Sequence, residues 1–113
     1  MNIQKFTQKS IEAINALEKL AYEYGNQEIE QEHLFVALLT QEDGLIGKLI
    51  EKMEIQKEHF TDNVRRRLAA RVKVSGGQIY VGQDLNKVLI HAEDEAKQMG
   101  DEYVSVEHIF LSM

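Results

Sequence analysis

The feature that most constrains this chain is an internal repeat with a spacing of 75 residues. The segment GNQEIEQEHLF (residues 25–35) aligns without a gap with GDEYVSVEHIF (residues 100–110). The two segments share a Gly, a Glu-His pair and a Phe, and apolar positions upstream of each Gly also coincide. A fixed period indicates one supersecondary unit used twice. Each copy is expected to form a long helix, a Gly stop, a short polar turn and a second helix that begins at the Glu-His pair.

The hydrophobic spacing predicts an all-α protein. There is no Pro and there are only seven Gly, and β-branched residues do not gather into alternating runs. A first helix is expected to begin at a Thr7 cap and to end at Gly25, because apolar residues recur between them at steps of three and four. Three further helices are predicted, from near Gln31, over 45–53 and through 60–68. These four helices make up the first unit.

The second unit repeats only part of this arrangement. A helix is predicted from about Gln83 to Met99, and a further one is expected after a Ser105 cap. The predicted organisation is one domain, 1–113, with repeat one over about 1–71, a linker over 72–82 and a partial repeat two over 83–113. Counterparts of the third and fourth helices are missing, so repeat two is expected to be truncated and to leave an apolar face partly uncovered.

Composition excludes several classes of function. The formal net charge of −6 argues against binding to a phosphate backbone, which depends on clustered Lys and Arg. The absence of Cys excludes disulfides and thiolate metal sites and fits a reducing compartment. No apolar run approaches the ~20 residues of a membrane span, and the first residues lack the apolar core of a signal peptide. A cytoplasmic protein that contacts neither nucleic acid nor membrane is therefore expected.

The repeated Glu-His pairs, Glu32-His33 and Glu107-His108, are the residues most suggestive of chemistry. Adjacent helical positions point about 100° apart, so a pair cannot easily chelate one ion, and no HExxH motif is present. A structural interpretation places the carboxylates at the positive end of a helix dipole and the histidines partly packed. Between these lies a third possibility, in which a first-turn carboxylate beside an apolar groove holds a polar or cationic group of a peptide.

Two other features do not support a functional interpretation. Gly77 and Gly82 have the spacing of a phosphate-binding loop, but Gln83 and Asp84 follow where that loop requires Lys and then Ser or Thr. The chain is therefore not expected to bind ATP there. A basic cluster at residues 65–73 is interpreted as a solvated helix face rather than as a site for an acidic partner.

With these residues established, the chain resembles the N-terminal domain of the Clp ATPases, which is built from two tandem Clp repeats. The resemblance covers all 113 residues and is carried by four segments. They are KFTQKSIEAI, EIEQEHLFVALLTQEDGLI, RVKVSGGQIYVGQDLNKVL and DEYVSVEHIF. It is closest to the ClpB type, the disaggregating chaperones, because ClpB relatives carry a KV-x-G segment in the linker.

The resemblance implies a mobile module that recognises substrates and hydrolyses nothing. Its function would be to engage exposed apolar segments of unfolded or aggregated proteins and to help pass them to the pore of a hexameric ring. The family positions linked to this task fall on Thr7, Asp101 and Glu107, and of the apolar groove positions Leu89 matches. His108 stands where some ClpB relatives have Leu, which implies a more polar groove. In ClpC relatives the glutamates that match Glu32 and Glu107 contribute to recognition of phosphorylated arginine.

The same resemblance implies the partners and cofactors. The parent would be a homohexameric ATPase that uses ATP and Mg in modules absent from this chain, working with an Hsp70-type chaperone system in the stress response. No cofactor or metal is expected in the chain itself. One alternative is the N-domain of a ClpC- or ClpA-like unfoldase, which docks adaptors or phosphoarginine-marked substrates for a protease. The other is a small metal-dependent enzyme that uses the Glu-His pairs and would hold stoichiometric zinc.

Overall fold

The computed structural model describes residues 3–74 and 76–113. Over these residues the chain forms six α-helices, one short 3-10 helix at Ile3–Lys5 and two strands of two residues each. The elements are α1 (Gln8–Tyr24), β1 (Glu28–Ile29), α2 (Gln31–Leu39), α3 (Leu45–Lys52), α4 (Lys57–Ala69), β2 (Tyr80–Val81), α5 (Gln83–Gln98) and α6 (Val106–Leu111). The all-α prediction is confirmed. The predicted linker contains Ser75, which lies outside the described residues, and the repeat boundaries stay a prediction.

The caps of α1 form where the sequence predicts them. Thr7 is the N-cap, and its Oγ1 accepts a hydrogen bond from the Ser10 N–H at 3.3 Å. Gly25 follows the last turn with φ 70°, a left-handed conformation that costs a residue with a side chain far more. Gly100 stops the equivalent helix α5 in the same way, with φ 73°. The repeated Gly therefore turns the chain sharply after each long helix.

The core is shared by the two repeats. Phe35 of α2 and Phe110 of α6 occupy equivalent repeat positions, and their rings meet edge to face with centroids 5.9 Å apart. Two equivalent residues can touch only near the axis that relates the repeats, so the pseudo-two-fold axis passes between these rings. Helix α4 packs on α2 through its aromatic residue Phe60. On α6 the side chain of Leu111 is exposed.

The main feature that the sequence does not predict is an exchange of strands between the repeats. Strand β2, which precedes α5, pairs in parallel with β1, which follows α1. Phe6, which precedes α1, forms a parallel bridge with Val104, which follows α5. The match extends to single hydrogen bonds, because the Gly82 N–H donates to the Ile29 carbonyl and the Thr7 N–H to the Val104 carbonyl, both at 2.9 Å. The strand pair at the turn after α1 thus has a counterpart at the turn after α5, where it is reduced to a single bridge.

Candidate functional site

The second Glu-His pair lies in the first turn of α6, just after Val104, which forms the bridge with Phe6. The backbone N–H of the cap Ser105 donates to His108 Nδ1 at 2.9 Å. Because Nδ1 accepts, the proton of the neutral ring is on Nε2, which donates to Asp101 Oδ2 at 2.9 Å. His108 is only 4% exposed and uses both ring nitrogens to connect the helix cap to the preceding turn. Its position is therefore fixed by the fold.

The first pair has the same geometry with a different partner. The Glu30 N–H donates to His33 Nδ1 at 2.9 Å, and His33 Nε2 donates to Asn26 Oδ1 at 3.0 Å. His33 is fully buried, and this burial lowers its pKa below the usual value. The structural interpretation expected partly packed histidines, but the structure buries both because each one closes a capping box. Within residues 3–74 and 76–113, no group of three His, Asp or Glu side chains is placed to hold a metal ion.

The two glutamates of the pairs have different environments. Glu32 forms an ion pair with Arg71, whose Nε donates to Glu32 Oε2 at 2.6 Å and whose Nη2 contacts the same oxygen. Glu107 is exposed, and no ion pair joins it to another residue in the part of the chain that the structure describes. Of these two carboxylates, that of repeat two is therefore the one that faces solvent without an ion pair to residues 3–74 and 76–113.

A further carboxylate in repeat one is unusually basic. Glu30 lies between Glu28, Glu32 and the Arg71 guanidinium, which is 4.0 Å from its Oε2. Burial, together with a hydrogen bond to the carboxyl of Glu28, raises the pKa of Glu30 to about 7. The equivalent position in repeat two is Ser105, which carries no charge. The acidic cluster is thus confined to repeat one.

The structure brings four of the predicted site residues to one edge of the domain. The Thr7 N–H and the Ser10 hydroxyl both donate to the carbonyl of Val104. Asp101 is three residues before Val104, and the first turn of α6 that follows contains Glu107 and His108. The N-termini of α1 and α6 therefore meet around the segment that contains Asp101.

The other two predicted residues lie elsewhere. Glu32 occupies the equivalent place in repeat one, beside Arg71. Leu89 is 2% exposed and belongs to the core, because it lies on the buried face of α5, and α5 packs on α6. The expectation that Leu89 lines an open groove is therefore not met by this structure. Its neighbour Ile90 is 48% exposed and is the apolar side chain that α5 offers at that level.

Beside Asp101 the structure contains a cleft of about 530 Å³ that the sequence reasoning missed. Its polar lining comes from the N-terminal segment, from the end of α5 and from the turn that follows α5. They contribute Gln4, Lys5, Glu93, Lys97, Asp101, Glu102 and Tyr103. In the sequence these residues look like ordinary solvated positions. The repeat register could have indicated this cleft, because it aligns residues 101–103 with residues 26–28. In repeat one, the chain after α4 covers residues 26–28.

The fold, the repeated caps and the strand exchange define a helical double-repeat domain, and comparison with known families identifies the class. Residues 5–113 match the family described as the Clp repeat N-terminal domain, so the chain belongs to that family. It is similar to the N-terminal region of chaperone protein ClpB. The ClpB of Nitratidesulfovibrio vulgaris is 46% identical over 115 residues, which are 97% of this chain and 13% of that protein. The ClpB of Clostridium tetani is 40% identical over 118 residues, 100% of this chain and 14% of that protein.

Solved structures agree on the fold. The crystal structure of the Hsp104 N-terminal domain from Candida albicans aligns with a TM-score of 0.86 at 24% identity, covering 96% of this chain and 72% of that chain. The N-terminal domain of the ClpV1 ATPase from E. coli aligns with a TM-score of 0.88 at 19% identity, covering 97% and 68%. The resemblance drawn from the four sequence segments is confirmed. Among the described helices, none has the length and hydropathy required to cross a membrane.

Proposed function

We propose that this chain is the N-terminal substrate-binding domain of an ATP-dependent, ClpB-like protein disaggregase. It would engage exposed apolar segments of unfolded or aggregated proteins and help pass them to the pore of a hexameric ring. The chain spans only 13–14% of its ClpB relatives, so ATP hydrolysis with Mg would belong to other modules of the parent. The proposed parent is a cytoplasmic homohexamer that works with an Hsp70-type chaperone system, and this domain catalyses nothing itself.

The observation that supports the proposal most strongly is the grouping of Thr7, Asp101 and Glu107 at one edge of the domain. These are the positions that the family resemblance links to client recognition. Two of them are carboxylates on the surface, and the half-exposed Ile90 lies on the adjacent helix α5. A polar edge near exposed apolar side chains suits weak contacts with many extended segments, because ordering a disordered client opposes tight binding. A dissociation constant of about 1 μM or weaker is expected.

The test is a titration of the isotope-labelled domain with reduced, carboxymethylated lactalbumin, a permanently unfolded protein, while amide chemical shifts are recorded. Shifts are expected at Thr7, Asp101 and Glu107, and Glu107→Gln and Ile90→Ser should each weaken binding several-fold. Tyr22→Ser is the matched control, because Tyr22 is an exposed apolar side chain of repeat one. Leu89 is unsuitable for this purpose since a polar residue there would disturb the core.

Two results would contradict the proposal. The first is the absence of shifts at millimolar client, and the second is saturable nanomolar binding to a single folded protein, which would indicate an adaptor-docking domain. A phosphoarginine peptide distinguishes the ClpC-like alternative, which predicts shifts at both Glu32 and Glu107. The Arg71 ion pair already occupies Glu32, so a guanidinium ligand would have to displace it. We therefore expect such a peptide to perturb Glu107 first.

A further inference from the structure

In repeat one, the turn after the long helix holds a segment of the chain itself. We call residues 25–29 loop one. The Val74 N–H donates to the Gly25 carbonyl at 2.9 Å, and Asn26 Nδ2 donates to the Val72 carbonyl at 3.3 Å. Both contacts are made by the main chain of the bound segment, residues 71–74. Loop one thus binds the main chain of another segment of the same protein.

The equivalent residues 100–104, here called loop two, have the same backbone. The Asn26 N–H donates to the Ala21 carbonyl at 2.8 Å, and the Asp101 N–H donates to the Ala96 carbonyl at 2.8 Å. The preceding glycines have nearly identical φ angles. Loop two therefore directs its main-chain groups, including the Gly100 carbonyl, as loop one does.

The two loops differ in whether a segment of the chain fills the cleft beside them. The cleft at loop one has a volume of about 240 Å³ and is walled partly by Arg71, Val72 and Val74. The cleft at loop two has a volume of about 530 Å³, and only residues of the N-terminal segment, α5 and loop two line it in the described part of the chain. The place that the chain's own segment fills in repeat one is open in repeat two.

The two loops differ in the side chain that faces the cleft, which is Asn26 in loop one and Asp101 in loop two. Asn26 offers an N–H to a carbonyl, whereas Asp101 can only accept hydrogen bonds when ionised. Asp101 Oδ2 accepts from His108, yet the side chain is 49% exposed, so the carboxylate also faces the solvent. Glu93 and Glu102 bring the carboxylates of this cleft to three, against the ammonium groups of Lys5 and Lys97. A ligand here should contribute donors, and a basic side chain suits that requirement.

We propose that the cleft at loop two binds a client segment through the main-chain hydrogen bond that Val74 makes on loop one, and selects for a basic side chain that reaches Asp101 in place of the Asn26 contact. A backbone N–H of the client donates to the Gly100 carbonyl. The proposal rests on the proposed function, since it names the substrate class that this domain would recognise. The selected segments are extended client sequences that contain Lys or Arg.

The probe is the chain's own segment, the peptide acetyl-ARVKVSG-amide, compared with acetyl-AQVQVSG-amide. Both are titrated into the labelled domain while amide shifts are recorded. We expect shifts centred on Gly100, Asp101 and Tyr103, and affinity for the basic peptide about fivefold higher, because a charge-assisted hydrogen bond is stronger than a neutral one. In Asp101→Asn that preference should fall to about one, and the neutral peptide should bind at least as well as before, since Asn can donate as Asn26 does.

The matched control is Asp43→Asn, which makes the same chemical change at an exposed turn between α2 and α3 and should leave the fivefold preference intact. A second probe carries an N-methyl group on the second Val of the basic peptide, the counterpart of Val74. Removing that single donor should weaken binding about fivefold, as expected for one lost hydrogen bond.

Three results would overturn the proposal. These are no binding at millimolar peptide, shifts centred on the separate cleft between α2 and α4 at Phe35 and Phe60, or an unchanged preference in Asp101→Asn. The unfolded-protein titration is repeated on the same sample. If the unfolded protein binds while the peptides do not, this inference fails and the proposed function stands. If neither binds, the proposed function fails as well.

Discussion

The two repeats share their main-chain contacts and differ in what surrounds their Glu-His pairs. In both, the histidine Nδ1 accepts the cap N–H at the same distance of 2.9 Å. In repeat one the second ring nitrogen reaches Asn26, which is buried, and in repeat two it reaches Asp101, which is half exposed. Arg71 covers Glu32, while no basic residue in the described part of the chain pairs with Glu107. Arg71, which follows α4, covers the Glu-His pair of repeat one, whereas the equivalent site of repeat two is exposed to solvent.

This difference teaches that the Glu-His motif is first a structural device. The histidine fixes the cap of the second helix to the turn after the first helix, and both copies need it for that reason. Under the proposed function, recognition would then depend on carboxylates that remain exposed to solvent, such as Asp101 and Glu107. Repeat two therefore carries the candidate site of the proposed function.

The largest expected effect comes from removing the two histidines separately. His33→Ala should lower the free energy of unfolding by about 3 kcal/mol, because it leaves a cavity and leaves the buried Asn26 Oδ1 and the Glu30 N–H without partners. His108→Ala should cost about 2 kcal/mol, since water can solvate the exposed carboxylate of Asp101. Urea unfolding followed by circular dichroism measures both. An equal or larger loss in His108→Ala would break the distinction between a closed and an open repeat.

The next effect concerns the equivalent positions Gly82 and Thr7, which precede α5 and α1. A Cβ added at Gly82 would overlap Glu30 Oε1 and lie 2.6 Å from Glu28 Oε1 and 3.0 Å from the Ile29 carbonyl. That carbonyl cannot retreat because it accepts the Gly82 N–H. Gly82→Ala should therefore destabilise by about 1.5 kcal/mol despite its lower unfolded-state entropy.

Thr7→Ala provides the comparison, and it should cost about 1 kcal/mol through loss of the cap that Ser10 uses. Thermal unfolding of the two variants side by side gives the ranking. If Gly82→Ala stabilised the domain, the carboxylates of repeat one would be free to move aside, and repeat one would be looser than the structure indicates.

Much of the fold could be predicted because it depends on local signals. The capping residue Thr7, the left-handed Gly25 and the apolar spacing of the helices are all readable from neighbouring residues, and the 75-residue period gave the second copy. The strand exchange could not be predicted in this way. Tyr80 and Val81 form too short a run to be distinguished from a loop, and their pairing with Glu28 and Ile29 is a long-range event.

The candidate site was only partly predictable for a related reason. The repeat register and the family resemblance marked Asp101 and Glu107, but they could not show that Arg71 neutralises Glu32 from 39 residues away. Leu89 follows the apolar spacing of α5, and spacing alone does not separate a core position from a groove position. Ile90, one residue later, is the exposed one.

A smaller effect tests the acidic cluster of repeat one through pH. The folded pKa of Glu30, about 7, is above its ordinary value of 4.5, so the folded state holds this proton more tightly. The stabilisation that results is complete below about pH 4.5 and is lost as the pH rises to about 7. Glu30→Gln removes this dependence. The difference in free energy of unfolding between Glu30→Gln and the parent chain should shift in favour of the variant by about 1 kcal/mol as the pH rises from 5 to 8.

Urea unfolding at the two pH values measures the change. Thr7→Ala serves as the control, because the Thr7 hydroxyl contacts the non-titrating Ser10 and its effect should not vary over this range. His33 changes the stability with pH in the opposite direction. Because its pKa is lowered in the folded state, it removes stability as the pH falls below about 6.5, and comparing the variant with the parent chain cancels this contribution. An unchanged difference for Glu30→Gln between pH 5 and pH 8 would show that the carboxyl is solvated and that repeat one is not closed there.

The smallest effect sharpens the contrast between the two first-turn glutamates. Arg71→Gln breaks the ion pair with Glu32, and because both side chains are partly exposed the loss should be only about 0.5 kcal/mol in low salt and less in high salt. Glu107→Gln should cost less, about 0.3 kcal/mol, since that carboxylate has no ion-pair partner in the described residues and is favoured only by its place in the first turn of α6. Unfolding curves at two salt concentrations measure both variants. A salt-dependent loss in Glu107→Gln as large as that in Arg71→Gln would mean that repeat two also pairs its glutamate within the chain, and Glu107 would then be no more available to a ligand than Glu32 is.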